Sequence, residues 1–328
     1  MSGDEAAKTM KALVWLGPRE MAVQDEPRPE LQDDEVLIKV RATTVTSTDC
    51  NMRNLTFVPW FFRLPARLFM VGALRPRVRV LGVDVAGEIA AVGRRVTRFD
   101  VGEPVFGTPG TAGGAHADYL CMEEDGVLTR KPANMSWEEA ASVPLAANTA
   151  LHFIRDLGDV QAGQKVLING ASGGIGTFAV QLATYYGAEV TGVCSTRNVD
   201  LVRSLGAERV IDYTREDIAG AGEAYDVIFD AVGKLRFARC KGCLARDGRY
   251  LVTLPTPDVL RYSERVTLGD VKPTTENLAF LRELIEAGHL RTVIDRRYRL
   301  EEIVEAFRYV EKGHKRGNVV ITLDGNSG

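Results

Sequence analysis

The stretch from Lys165 to Asp212 constrains this chain more than any other, because it sets a glycine-rich turn between an apolar run and a helical pattern. Val166, Leu167 and Ile168 lead into Gly170-Ala171-Ser172-Gly173-Gly174-Ile175-Gly176. Ile175, Phe178, Ala179, Leu182 and Tyr186 then recur at helical spacing, so the glycines fall at a helix N-terminus. Free backbone N–H groups and the positive dipole end favour an anion there, which makes Ser172, Gly173, Gly174, Ile175 and Gly176 candidate residues of a phosphate cradle. The spacing Gly170, Gly173, Gly176 departs from G-x-G-x-x-G, and context carries the reading instead. Strand, glycine turn, helix and second strand (residues 189–193) come in the order a βαβ unit requires.

That second strand ends in Cys194-Ser195-Thr196-Arg197. A site for NAD places an Asp or Glu about 20 residues past the glycines, where it accepts a hydrogen bond from the ribose 2′-hydroxyl. Here the tip offers hydroxyls and a cation. A carboxylate would repel a 2′-phosphate, whereas Ser195, Thr196 and Arg197 can bind one through neutral and charge-assisted hydrogen bonds. The tip therefore predicts NADPH as the cofactor.

Around this unit the chain divides by periodicity, and 328 residues suffice for two domains. Short strand-like runs broken by Gly, Pro and Asp (residues 11–15, 35–44, 85–92, 104–106 and 115–122) predict a small, mostly β first half. From Ser136, a candidate cap with Glu138 and Glu139 in the first turn, a largely apolar helical region runs to Leu157. Strands then alternate with helices (165–169, 189–193, 209–211, 226–230, 250–254), the pattern of a doubly wound parallel sheet in an α/β protein. Amphipathic helices over 275–287 and 300–312 and a last strand over 318–323 are expected to return to the β half. The expected domains are 1–134 together with 272–328, and 135–271 for the cofactor.

A formal net charge of -3 and a pI near 5.9 argue against a nucleic-acid partner, which needs a concentrated basic surface. Five scattered cysteines suit reduced thiols better than a disulfide framework. The polar first residues lack a signal-peptide core, and no apolar run reaches the roughly 18 residues of a membrane span. A cytoplasmic protein is expected.

Further pieces carry a resemblance. Gly82-Val83-Asp84-Val85-Ala86-Gly87-Glu88, Lys131-Pro132-Ala133-Asn134 with Val143-Pro144 and Thr149-Ala150, the glycine turn, and Leu205-Gly206-Ala207 leading into Val210-Ile211-Asp212-Tyr213 resemble the medium-chain dehydrogenase/reductases. Within them, the chain is similar to the zinc-independent quinone oxidoreductases and enoyl reductases. The resemblance implies a GroES-like, mostly β catalytic domain beside a Rossmann cofactor domain, and a homodimer. Where the zinc enzymes of the family hold metal through Cys, His-Glu and Cys, this chain has Thr46, Val83 with Asp84, and Asn148. Valine ligates nothing, and one carboxylate with neutral oxygens is a poor zinc site. No metal is expected.

Without a Lewis acid the acceptor must already be electrophilic: an apolar quinone, or an alkene conjugated to a carbonyl. An enoyl thioester is the rival substrate, and a non-enzymatic NADPH-binding sensor or scaffold the rival class. By analogy Asn148 faces the nicotinamide, Ser195, Arg197 and Tyr213 hold the 2′-phosphate, and Val232, Thr253 and Leu254, past strand ends, seat the nicotinamide half. Asn148 and Asp49 are the catalytic candidates, although a carboxylate placed like Asp49 or Asp84 often ties down a turn. His116 and Asp118 alternate along one strand and read as a surface pair. Cys240 and Cys243 lack a second ligand pair and read as ordinary thiols. Residues 55–80, crowded with Phe57, Trp60, Phe61, Phe62 and arginines, read as a wall of the substrate pocket in preference to a membrane or partner surface, because Pro59 and Pro65 interrupt an amphipathic helix; a locally packed loop is the remaining alternative.

Overall fold

The computed structural model describes residues 8–17, 20–54, 79–218 and 223–323. The substrate wall expected over 55–80 lies outside the described residues except for Arg79, which pairs with Glu26 at 3.0 Å, and Val80. Two compact units emerge: the described residues within Met1–Leu145, Pro273–Glu283 and Ile294–Gly328, and those within Ala146–Lys272 and Leu284–Val293. The helical region after Ser136 thus divides between the units, and a short return segment, 284–293, joins the second.

In the first unit a hairpin of β1 (Thr9–Gly17) and β2 (Glu20–Pro27) accompanies a seven-stranded sheet. Its strands are β3 (Glu35–Thr44), β4 (Val85–Val92), β5 (Pro104–Thr108), β6 (Tyr119–Glu123), β7 (Val127–Arg130), β14 (Ile294–Arg299) and β15 (Asn318–Thr322). The order is β14-β15-β3-β4-β5-β7, with β6 also on β3. Because β3 pairs with β15, β4 and β6, it has no open edge and is buried along most of its length. One core gathers Val36, Ile38, Val40, Val85, Ile89, Val105 and Leu128. A second forms under the helix Ile303–Glu311, whose Ile303, Ala306, Phe307 and Val310 make one apolar stripe against Leu13, Trp15, Val319 and Ile321. The strand expected over 115–122 begins only at Tyr119, and the preceding residues touch β1 through a single bridge, Ala12 to Ala117.

The second unit is a six-stranded parallel sheet of order β10-β9-β8-β11-β12-β13. Its strands are β8 (Lys165–Asn169), β9 (Glu189–Cys194), β10 (Arg209–Asp212), β11 (Tyr225–Asp230), β12 (Leu244–Val252) and β13 (Val266–Leu268). Val166, Leu167, Ile168, Ile228 and Phe229 are fully buried, as expected for central strands covered on both faces. The order reverses between β8 and β11, and such a switch point opens a ligand crevice at the strand C-termini. Ser136 caps the Trp137–Ala141 helix in a capping box with Glu139, and Pro144–Leu151 is followed by a wider π-helical turn, His152–Leu157. Around Cys240 and Cys243 the helix is short: Phe237–Cys240 gives way to a 3-10 turn, and Leu244 already starts β12.

Candidate cofactor site and buried acid cluster

The cradle forms where β8 ends. Gly170 turns with φ 78°, a left-handed conformation that favours glycine, and both Gly170 N and Ala171 N donate to Val193 O, at 3.2 and 3.1 Å. Gly173 is the extended N-cap of the Gly174–Tyr185 helix, so the first-turn N–H groups have no intrahelical acceptor. A Cβ on Gly176 would stand 2.1 Å from Gly170 O, so the turn and helix meet at a distance only glycine permits. Ser172 is buried and its Oγ accepts from Asn198 Nδ2 at 2.9 Å, fixing the cradle to the segment after β9. Open donors at a helix start, closed around bare backbone, fit a pyrophosphate.

The remaining candidates follow the other strand ends in chain order: Ser195 and Arg197 past β9, Tyr213 past β10, Val232 past β11, Thr253 and Leu254 past β12. A Cβ on Gly170 would meet Val232 at 2.7 Å, and one on Gly233 would meet Leu254 at 3.0 Å, so the cradle, the β11 exit and the β12 exit form one rim. Tyr213, Val232 and Leu254 are 48%, 38% and 39% exposed, so each of these three strand ends presents an apolar side chain to the rim. Thr196 departs from expectation. Its hydroxyl donates to Asp212 Oδ2 at 2.5 Å, so that proton is spent within the unit rather than offered to a phosphate.

Asp230, which the motif reading overlooked, organises this rim. Its Oδ1 accepts from Asn169 Nδ2 at 2.8 Å, Val232 N at 3.2 Å and Gly233 N at 3.0 Å, and its Oδ2 accepts from Leu235 N at 2.8 Å. Burial nevertheless outweighs these donors and pushes its pKa above the usual carboxylate range. An Asp closing a strand just before Ala-Val-Gly was the available signal, since Asx turns take that form.

In the first unit the acids are latches. Asp49 and Thr46 exchange hydrogen bonds: Thr46 N and Oγ1 donate to Asp49 Oδ2 at 2.8 and 2.6 Å, and Asp49 N donates to Thr46 Oγ1 at 3.2 Å. This reciprocal cap starts the Ser47–Asn54 helix, so Asp49 is tied to a turn. Asp84 is buried, accepting from Thr44 Oγ1 at 2.7 Å and from Leu145 N at 2.8 Å, the latter in the first turn of the helix that carries Asn148. Burial raises Asp84 from an ordinary 3.8 to about 7, with Asp49 adding repulsion and Lys315 an opposing attraction. Burial likewise lowers Lys315 to about 8 against the pull of Asp295 and Asp84.

His116 corrects the surface-pair reading. It is fully buried, its Nε2 lies 2.8 Å from Thr44 O, its ring meets Phe307 edge-on at 5.7 Å, and burial lowers its pKa. Asp118 stands apart, accepting from Lys11 N at 2.7 Å. A tripeptide alternation cannot reveal that one member enters the core. Asn148 is buried on the Pro144–Leu151 helix. The five cysteines are unbridged, and burial pushes the Cys240 thiol up to about 12 and Cys243 upward, so neither is a ready nucleophile.

Comparison with known proteins agrees with this architecture. Residues 32–133 match the alcohol dehydrogenase GroES-like domain, and residues 205–321 match a zinc-binding dehydrogenase domain. The chain is 31% identical to a chloroplastic quinone oxidoreductase of Triphysaria versicolor, over 90% of this chain and 92% of that one. It is 33% identical to an NADPH-dependent alkenal/one oxidoreductase of Arabidopsis thaliana, over 89% and 73%. The solved quinone oxidoreductase of Coxiella burnetii superposes with a TM-score of 0.85 at 30% identity, covering 96% of this chain and all of the other. The fold and strand-end site thus define a two-domain, nicotinamide-dependent oxidoreductase. The chain belongs to the medium-chain dehydrogenase/reductase superfamily, in its zinc-independent quinone oxidoreductase group.

The zinc in one family description does not fit the residues present. Val83 offers no donor, Asp84 is engaged by Thr44 and Leu145, and the Thr46 hydroxyl is committed to Asp49. Among the described residues, no group of three or more His, Cys, Asp or Glu is arranged to hold a metal ion.

Proposed function

We propose that this enzyme transfers hydride to a quinone or to an alkene conjugated to a carbonyl, with NADPH as the donor. The observation that carries the reading is the run of strand ends in the second unit, from the Gly173–Gly176 cradle to Leu254, which is suited to one extended dinucleotide. NADPH supplies the hydride when bound. In this reading Gly173 to Gly176 hold the pyrophosphate, Ser195, Arg197 and Tyr213 the 2′-phosphate, and Val232, Thr253 and Leu254 the nicotinamide half. Asn148 is assigned to the nicotinamide, whereas Asp49, engaged as a helix cap, is a positioning residue. A donor set unsuited to zinc favours acceptors that need no Lewis acid. The names of the relatives from Triphysaria and Arabidopsis support the same acceptor classes.

The reading includes a homodimer, on the family resemblance, and a reducing, cytoplasmic setting, on the five unbridged thiols. The test is steady-state NADPH oxidation with quinones, enones and enoyl-CoA esters. Turnover of the first two classes is expected; tight NADPH binding with no acceptor turned over would make the chain a binding protein and sink the proposal. Sedimentation of the purified protein at the mass of one chain would remove the homodimer.

A further inference from the structure

The tip of β10 carries a carboxylate that the tip of β9 lacks. Asp212 ends β10 and is the register partner of Cys194, the last residue of β9. It therefore stands one strand over from the place where a site for NAD offers its acid to the ribose 2′-hydroxyl. An open carboxylate at that rim would repel a 2′-phosphate and accept from a 2′-hydroxyl.

Asp212 is not open. Thr196 Oγ1 donates to Oδ2 at 2.5 Å, and Thr214 donates to Oδ1 twice, from Oγ1 at 2.7 Å and from N at 3.0 Å. The two threonine hydroxyls lie 2.9 Å apart, and Arg215 Nε sits 3.9 Å from Oδ2. Only 11% of the side chain is exposed. The hydrogen bond from Thr196, followed by those from Thr214, holds the carboxyl below its usual range, so Asp212 keeps its charge but turns its lone pairs onto its own neighbours. Both threonines are exposed, which leaves them dispensable for packing.

We infer that the Thr196–Asp212–Thr214 clamp is a determinant of coenzyme choice: it withdraws a carboxylate from the adenosine-ribose position, so that the 2′-phosphate form is accepted and the 2′-hydroxyl form gains no acid partner. The inference rests on the NADPH reading above. Thr196→Val keeps the shape and removes the donor, which opens Oδ2 towards the ribose. NADH binding then strengthens and NADPH binding weakens. Thr214→Val acts in the same direction but less, because the Thr214 backbone N–H still donates.

The experiment is fluorescence titration of NADPH and NADH on wild type, Thr196→Val, Thr214→Val and Thr196→Val/Asp212→Asn, with no acceptor present. The ratio of the NADH to the NADPH dissociation constant should fall about tenfold in Thr196→Val, a shift of about 1.4 kcal/mol, and return to the wild-type value in the double variant. An unchanged ratio in both single variants overturns the inference. So does a double variant as impaired as Thr196→Val, because Thr196 would then contact the phosphate itself. A wild-type ratio near unity removes the NADPH reading and the clamp together, whereas a high wild-type ratio insensitive to Thr196 removes the clamp alone.

Discussion

Asp84 gives the sharpest test of the structure, because burial outweighs the hydrogen bonds from Thr44 and Leu145 that favour its charge. Its carboxyl rises from 3.8 to about 7 on folding. That is about three pH units at ~1.4 kcal/mol each, so the ionised native state carries a penalty on the order of 4 kcal/mol. The sign follows from proton counting. Between the two values this carboxyl binds more protons in the native state than in the unfolded chain, so its contribution to stability is most favourable below pH 4 and is lost as pH rises to about 7. Asp84→Asn mimics the neutral acid: its carbonyl can accept from Leu145 N and its amide can donate to the Thr44 hydroxyl, which reverses a single hydrogen bond. Trp15 and Trp137 both lie in the first unit, so tryptophan fluorescence in urea reports on its unfolding. The unfolding free energy of the variant minus that of wild type should climb between pH 4 and 7 and then level off. A difference independent of pH would refute the argument, since Asp84 would then be ionised throughout, compensated by Lys315.

Gly176→Ala forces a Cβ to within 2.1 Å of Gly170 O, a backbone atom that cannot step aside. A loss of about 1–3 kcal/mol in stability and at least a tenfold weaker NADPH titration are expected, and wild-type affinity would contradict the cradle. Asp230→Asn turns an amide donor towards Leu235 N–H or abandons the other donors; calorimetry should register a loss of ~1–3 kcal/mol, with NADPH binding weakened as the β11 exit loosens. Burial pushes Cys50 and Cys240 up to about 12 and Cys121 and Cys194 up to about 11, so native iodoacetamide labelling at pH 8 should run slower than for free cysteine. Fast labelling of Cys240 or Cys243 would contradict their assignment as inert thiols.

The parts of the fold legible in the sequence share one property: their signal is local. The β8 apolar run, the glycine turn and the Ser136 cap each fit within a few residues, and all three stand in the structure. The strands that escaped the pattern, β2, β7, β13 and β14, all lie at sheet edges. An edge strand has less surface to bury and carries charge that blocks further pairing, so Ile294–Arg299 reads Ile-Asp-Arg-Arg-Tyr-Arg with no apolar run. In the candidate site the glycines and strand tips were legible for the same local reason. The Asn169–Asp230 contact joins residues 61 apart, and no periodicity announces it.

The acids explain why residue identity was a poor guide to role. Asp84, Asp212 and Asp230 all receive several hydrogen bonds, yet burial wins at Asp84 and Asp230 and raises them, while at Asp212 the donors win and lower it. Asp84 and Asp230 are latches whose charge costs stability, and each holds backbone N–H at the start of a turn or helix. Asp212 keeps its charge at the rim proposed for the 2′-phosphate. There a single hydroxyl proton decides whether that charge is felt. A tip read by residue type counts Thr196 as a donor for the ligand; once its proton is assigned to Asp212, the proposed phosphate partners at the tip reduce to Ser195, Arg197 and Tyr213, and in the proposed clamp selectivity depends on a side chain that touches the coenzyme only when the clamp is broken.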